Sequence, residues 1–223
     1  MRQLPLGVQL RTAAVFDNFY AGTNVEAVAA LHSRTVVPQW IWGAAATGKS
    51  HLLQAVCASA AAPSAYVPLR LDAGLAPAAL EGLEQLDLAC VDDLDAIAGQ
   101  AAWERALFAL FNAAAETGTR LLFAANSAPG ALPWTLPDWA SRAASCSVYQ
   151  LRLLDDSERI EALRMRAHRR GLELPLETAE YLLKRMPRDQ RTLFDLVDAL
   201  DDAALVAQRR LTVPFVRAAL NLA

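Results

Sequence analysis

Gly43-Ala44-Ala45-Ala46-Thr47-Gly48-Lys49-Ser50 is the stretch that decides the fold. It matches G-x-x-x-x-G-K-[ST] in full. It also stands where that motif must stand, after a β-branched and aromatic run ending at Trp42 and before a helix-forming run that starts at Lys49. Glycines let the backbone wrap so that N–H groups point at phosphate oxygens. Lys49 would reach the outer phosphates, and the Ser50 hydroxyl would serve Mg2+. The helix N-terminus adds the positive end of its dipole. Only two of the 21 basic residues are lysines, Lys49 and Lys184, so a lysine at this place in the motif is hard to ascribe to composition.

Such a loop needs an acidic residue at the end of a neighbouring apolar strand, and Leu88-Ala89-Cys90-Val91-Asp92-Asp93 supplies two. Asp92 is the candidate Mg2+ partner, directly or through water, and Asp93 is placed to orient an attacking water. The alternative is that one of them caps the turn near Leu94 or Asp95. Aspartate is one methylene shorter than glutamate, so turnover by this chain alone is expected to be slow. Further outward, strands are expected over 36–42, 66–71, 86–91, 121–125 and 148–153. Helices are expected over Val25–His32, 49–61 and 103–116, the last closed near Gly118. This alternation predicts an α/β fold with a parallel sheet flanked by helices. From Asp155 onward only helical patterns occur, over 157–170, Leu176–Arg185 and about 188–209. A final helix is capped by Thr212, with Val216, Ala219 and Leu220 facing inward. The expected division is a tail over 1–12, an α/β domain over 13–153 and a small all-helical domain over 154–223.

Composition bounds the rest. The chain has 223 residues, 54% hydrophobic and 20% charged, which is enough for a substantial core. A formal net charge of −3 argues against bulk electrostatic binding to DNA or anionic lipid. No run is long and apolar enough to span a membrane, and residues 1–12 lack the pattern of a signal peptide, so a cytoplasmic protein is expected. Cys57, Cys90 and Cys146 lie far apart, as do His32, His51 and His168, and neither set has metal-ligand spacing. The cluster Arg164-Met165-Arg166-Ala167-His168-Arg169-Arg170 follows four acidic residues, Asp155, Asp156, Glu158 and Glu161, and reads as a solvated helix face.

With these parts in order, the sequence resembles an AAA+ ATPase module, and more narrowly the DnaA branch of replication initiators. The resemblance is carried by Phe16-Asp17-Asn18-Phe19-Tyr20 with Gly22 and Asn24, and by the loop continuing through His51 to Leu53. Val91-Asp92-Asp93-Leu94 with Ala98-Gly99, the run from Leu136 to Arg142, and Arg191-Thr192-Leu193-Phe194 complete it. The helical domain is then the AAA+ lid. Within that branch the chain is similar to the regulatory inactivators of DnaA. It ends at Ala223 after the lid without a DNA-binding helix-turn-helix, and no self-assembly domain precedes the module. Gln3, Leu4 and Leu6 look like the core of a sliding-clamp-binding peptide, with Gly7 where an aromatic would fill the clamp pocket.

The resemblance implies a negative regulator of replication initiation that holds ADP or ATP with Mg2+. Its partners would be DnaA and the DNA polymerase III sliding clamp (beta subunit), with DNA met mainly through the clamp. Self-association into a homo-oligomer is left open. Phe19, Tyr20 and Asn24 would pack by the adenine base, with ordinary core packing as the alternative. Asn126 would be sensor 1, or else a turn residue. Arg142 would be an arginine finger acting in trans on DnaA, or else a surface salt-bridge residue. Arg191 would be sensor 2, or else a partner of Asp195 one helical turn on. Arg188 is a weaker candidate for the same neighbourhood. An autonomous AAA+ ATPase of helicase-loader or initiator type is the competing expectation. A small-molecule kinase fits poorly, because the helical domain follows the sheet instead of interrupting it.

Overall fold

A computed structural model describes residues 14–33, 35–70, 74–185 and 211–219. Strands β1 (Gln39–Trp42), β2 (Ser64–Pro68), β3 (Leu88–Asp92), β4 (Arg120–Ala125) and β5 (Ser147–Gln150) form one sheet in the order β2-β3-β4-β1-β5, with every pairing parallel. Around it run α1 (Val25–His32), α2 (Lys49–Ser59), α3 (Ala101–Thr117) and α4 (Pro137–Ala144).

Both faces of the sheet are buried, so its strands read as continuous apolar runs. The twofold alternation of side chains divides them between two cores. Trp40, Ala89, Val91, Leu121, Phe123 and Ala125 pack with Leu107, Leu110, Phe111 and Trp139 from α3 and α4. Ile41, Leu88, Cys90, Leu122 and Ala124 pack with Ala27 and Leu31 of α1 and Leu52, Leu53 and Val56 of α2. Removing one such leucine from water contributes about 2 kcal/mol.

The described residues fall into two compact units, the sheet with its helices up to Leu151, and a second made of Tyr20–Thr23 and the chain from Arg152 onward. In the second unit α5 (Asp156–Arg169), α6 (Leu176–Arg185) and α7 (Val213–Ala219) enclose Leu163, Ala167, Leu174, Ala179, Leu182, Leu183, Leu211 and Val216. Asp155 opens α5 with a capping box. Its carboxylate accepts from Glu158 N at 2.8 Å, and Glu158 Oε2 accepts from Asp155 N at 2.9 Å. Glu158 Oε1 also accepts from Thr23 N at 2.7 Å, which ties Tyr20–Thr23 into this unit.

Several expectations need correction. β1 starts at Gln39, not at residue 36, because Pro38 has no N–H to donate to the ladder; Val36 and Val37 are exposed instead. α2 ends at Ser59, two residues early, and α4 was not foreseen as a helix at all. In the last helix Val216 is fully buried but Ala219 is exposed. Residues 188–209 and Leu220 lie outside the described residues.

Candidate functional site

Register brings the motif residues to one edge of the sheet. Trp42 stands opposite Ala125, Gly43 N donates to Ala125 O at 3.4 Å, and Val91 stands opposite Phe123. The next residues along the three strands are Gly43, Asp92 and Asn126, so all leave the sheet at its C-terminal end. The strand order also reverses at β1, which is where open α/β sheets bind ligands.

The loop is shaped by conformations few residues accept. Gly48 lies at φ +93° and Ala46 at φ +65°. A methyl group at Gly48 would stand 2.5 Å from Phe19 Cε2, and one at Gly43 would collide with the carbonyl of Leu151. Glycine is therefore required at both ends of the loop. Ala44, Ala45 and Ala46 are exposed at its crest, while Thr47 is buried and donates from Oγ1 to Ala44 O at 2.9 Å.

Lys49 opens α2 and is only 7% exposed. Its Nζ donates to Gly43 O at 2.7 Å, Ala44 O at 3.0 Å and Asn126 Oδ1 at 3.1 Å. Burial holds the ammonium below its ordinary pKa, against the attraction of Asp92, Asp95 and Asp93. A buried lysine coordinated by the loop's own carbonyls, beneath an exposed crest of backbone, is a cradle for an anionic group. The residues present fit a bound polyphosphate.

Asp92 is fully buried at the end of β3, where Oδ2 accepts from Tyr66 OH at 2.7 Å and Oδ1 from Asp93 N at 2.9 Å. Tyr66 also shares hydrogen bonds with Ser50 and Gln54, and burial together with Asp92 pushes its pKa up. The two expected Mg2+ residues, Ser50 and Asp92, therefore meet at one phenol. Among the described residues no cluster of three or more His, Cys, Asp or Glu side chains forms a metal site. Mg2+ arriving with phosphates uses one or two protein ligands, which Ser50 and Asp92 suit.

Asp93 sits in the left-handed region at φ +61° and is half-buried. Burial, then Asp92 and Asp95, push its carboxyl up to about 6, against Arg70 and Lys49. Asp95, expected at most to mark a turn, binds Asn126 twice. Its Oδ1 accepts from Asn126 N at 2.8 Å and its Oδ2 from Asn126 Nδ2 at 2.6 Å. Tyr66 and Asp95 are thus the site residues that sequence reasoning missed. Tyr66 read as an ordinary strand residue, and the partner of Asp95 lies 31 residues away.

Phe19 lies over Gly48, and its ring is 5.8 Å from that of His51, whose Nε2 is 3.1 Å from Val15 O. Asn24 is buried in the sheet unit at 3% exposure, whereas Tyr20 belongs to the second unit. Arg142 does not join the loop. It is exposed near the end of α4 with Cζ 5.9 Å from the Phe111 ring centroid, five residues before β5. Ser147 opens β5 opposite Gln39, so Arg142 lies toward the strands' N-terminal end.

Glu104, fully buried, aims α4. Its carboxylate accepts from Gly99 N at 2.8 Å, Thr135 N and Oγ1 each at 2.9 Å, and Leu136 N at 2.6 Å. The expected clamp residues Gln3, Leu4 and Leu6, and the lid arginines Arg188 and Arg191, lie outside the described residues.

Residues 156–220 match the family model described as Hda, lid domain. The chain carries an Hda lid domain. Domain III of the replication initiation protein DnaA from Thermotoga maritima is similar in structure, with a TM-score of 0.73 at 19% identity over 93% of this chain and 95% of that one. AMPPCP-bound DnaA from Aquifex aeolicus gives a TM-score of 0.70 at 22% identity, over 88% and 67% of the two chains. The RuvB Holliday junction branch migration motor of Thermotoga maritima gives 0.69 at 17%, over 96% and 73%. At such identities the likeness shows the fold, an AAA+ α/β module, here followed by the Hda lid. In the Hda lid the basic cluster lies on the outside, with Arg164 paired to Glu161 at 2.9 Å. No helix among the described residues is long and apolar enough to cross a membrane.

Proposed function

We propose that this chain is a nucleotide-bound AAA+ regulator of replication initiation. Together with the DNA-loaded sliding clamp it stimulates hydrolysis of DnaA-bound ATP through Arg142, supplied in trans. Gly43 through Ser50, with His51, Phe19 and Asn24, hold ADP or ATP. Ser50 and Asp92 hold Mg2+, and Tyr20 and Arg191 complete the nucleotide contacts. The nucleotide with its metal supplies the charge that keeps the loop in one state. Gln3, Leu4 and Leu6 engage the clamp, and DNA is met through it. The chain works in the cytoplasm.

The observation that carries this reading is the separation of Arg142 from its own loop. A parallel strand rises about 3.3 Å per residue, so the four residues of β1 separate the two ends of the sheet by about 10 Å. An exposed guanidinium at the far end serves a neighbour's phosphates, and such fingers raise rates about 10³- to 10⁵-fold. The Hda lid following the sheet supports the same branch.

The test is hydrolysis of DnaA-bound ATP on clamp-loaded DNA, with the wild-type chain or Arg142→Ala. Stimulation by wild type that vanishes in Arg142→Ala, while both melt at the same temperature, is the expected result. Failure of the wild type to stimulate, with DnaA and clamp shown to be competent, overturns the proposal. A second reading, slow turnover by the chain itself, draws support from Asp93, a half-buried carboxyl raised to about 6 and able to take a proton near neutral pH. Turnover without DnaA, lost in Asp93→Asn, would favour it.

A further inference from the structure

Asn126 sits between two groups whose hydrogen-bonding capacities are fixed by their chemistry. On one side is the Asp95 carboxylate, which only accepts; on the other is the Lys49 ammonium, which only donates. The amide therefore has one acceptable orientation. Nδ2 donates to Asp95 Oδ2 at 2.6 Å, and Oδ1 accepts from Lys49 Nζ at 3.1 Å. Turning the amide over would set its NH2 against an ammonium and its oxygen against a carboxylate, breaking two charge-assisted hydrogen bonds at once. Asp95 Oδ1 meanwhile anchors the backbone N–H of the same asparagine at 2.8 Å, so the residue is held at both main chain and side chain.

We propose that Asp95 is a positioning residue that locks Asn126 with its carbonyl oxygen toward Lys49. Asn126 then acts on the loop lysine and cannot donate to phosphate. This deepens the nucleotide reading above and rests on it. A phosphate oxygen drawn to Lys49 Nζ comes near Asn126 Oδ1, acceptor against acceptor, while the NH2 group that could donate is held by Asp95. With the lock in place, Asn126 contributes equally to a diphosphate and a triphosphate, through Lys49. With the lock removed, the amide is free to turn its NH2 toward phosphate, and added phosphate oxygens become its partners.

The experiment is calorimetric titration of the full chain with Mg-ADP and with Mg-AMPPCP, which reads binding and not turnover. In Asn126→Ala both affinities fall by the same factor, leaving their ratio at the wild-type value. Asp95→Asn keeps the size of the side chain but offers one acceptor oxygen in place of two. It shifts the ratio toward AMPPCP by about 3- to 10-fold, the effect of one gained hydrogen bond to a charged group. The shift disappears in the double variant Asp95→Asn/Asn126→Ala, a dependence that a merely structural aspartate would not produce. A ratio unchanged in Asp95→Asn, or changed in Asn126→Ala, overturns the inference while leaving nucleotide binding intact. Asn126→Ala decides the matter alone if Asp95→Asn does not fold. Absence of nucleotide binding by wild type sinks the nucleotide reading, and the inference with it.

Discussion

Asp93 carries the clearest pH signature in the molecule. Burial raises its carboxyl from 3.8 to about 6, and the negative charges of Asp92 and Asp95 push the same way. The folded protein therefore binds a proton more readily than the unfolded chain between those values, and folding loses stability as pH rises through that window. The full penalty applies above about 6 and none of it below about 4. Two pH units correspond to roughly 3 kcal/mol, and screening at a half-buried site reduces this to about 1 kcal/mol. Nucleotide-free Asp93→Asn is expected to be more stable than wild type by about that amount at pH 7.5 and equal to it at pH 4. Urea unfolding at the two pH values checks this, and equal gains at both would show that charge is not the cause.

At the scale of elements, Glu104 joins three of them. It lies in the first turn of α3, reaches the segment after β3 through Gly99, and caps the start of α4 through Thr135 and Leu136. Burial opposes its charge, but hydrogen bonds from Leu136, Thr135 and Gly99 hold the carboxyl below its ordinary value of 4.5. The stability it gives is full above that value and is lost as pH falls through the lowered pKa. Glu104→Ala leaves several buried N–H groups without an acceptor and is expected to cost about 3 kcal/mol at pH 7. Denaturant unfolding of that variant tests the value. A loss below about 0.5 kcal/mol would mean that these donors find water instead.

This staple also explains what the sequence did and did not disclose. α4 has only Trp139 and Ala143 as buried residues, too few for a helical pattern, and its cap comes from a carboxylate 32 residues away. The loop and β3 were legible because the chemistry of a phosphate cradle fixes residue types at local spacing. α1 and α6 were legible down to their bounds, because their apolar stripes are local too. The early residues of β1 misled because β-branched valines suggest a strand while Pro38 forbids the ladder. The links from Tyr66 to Asp92 and from Asp95 to Asn126 depend on which strands become neighbours, information that no short window contains.

For the whole molecule, the division into two units with separate cores makes nucleotide the natural agent of cooperativity. The cradle belongs to the sheet unit, while Arg191 lies in the part of the chain that the Hda lid model matches. A ligand at 100 times its Kd stabilises whatever binds it by about 2.7 kcal/mol. For a chain of this size that is a rise in Tm of about 5–10 °C, if both units unfold together. Scanning calorimetry with saturating Mg-ADP is therefore expected to show one transition raised by that amount in wild type. Arg191→Ala should confine the rise to the sheet unit and leave the lid melting separately at its nucleotide-free temperature. Lys49→Ala should abolish the rise, since the ammonium is the charge that fixes the phosphates. If Arg191→Ala melts as wild type does with nucleotide bound, the lid arginine has no part in holding it, and the two units owe their coupling to other contacts.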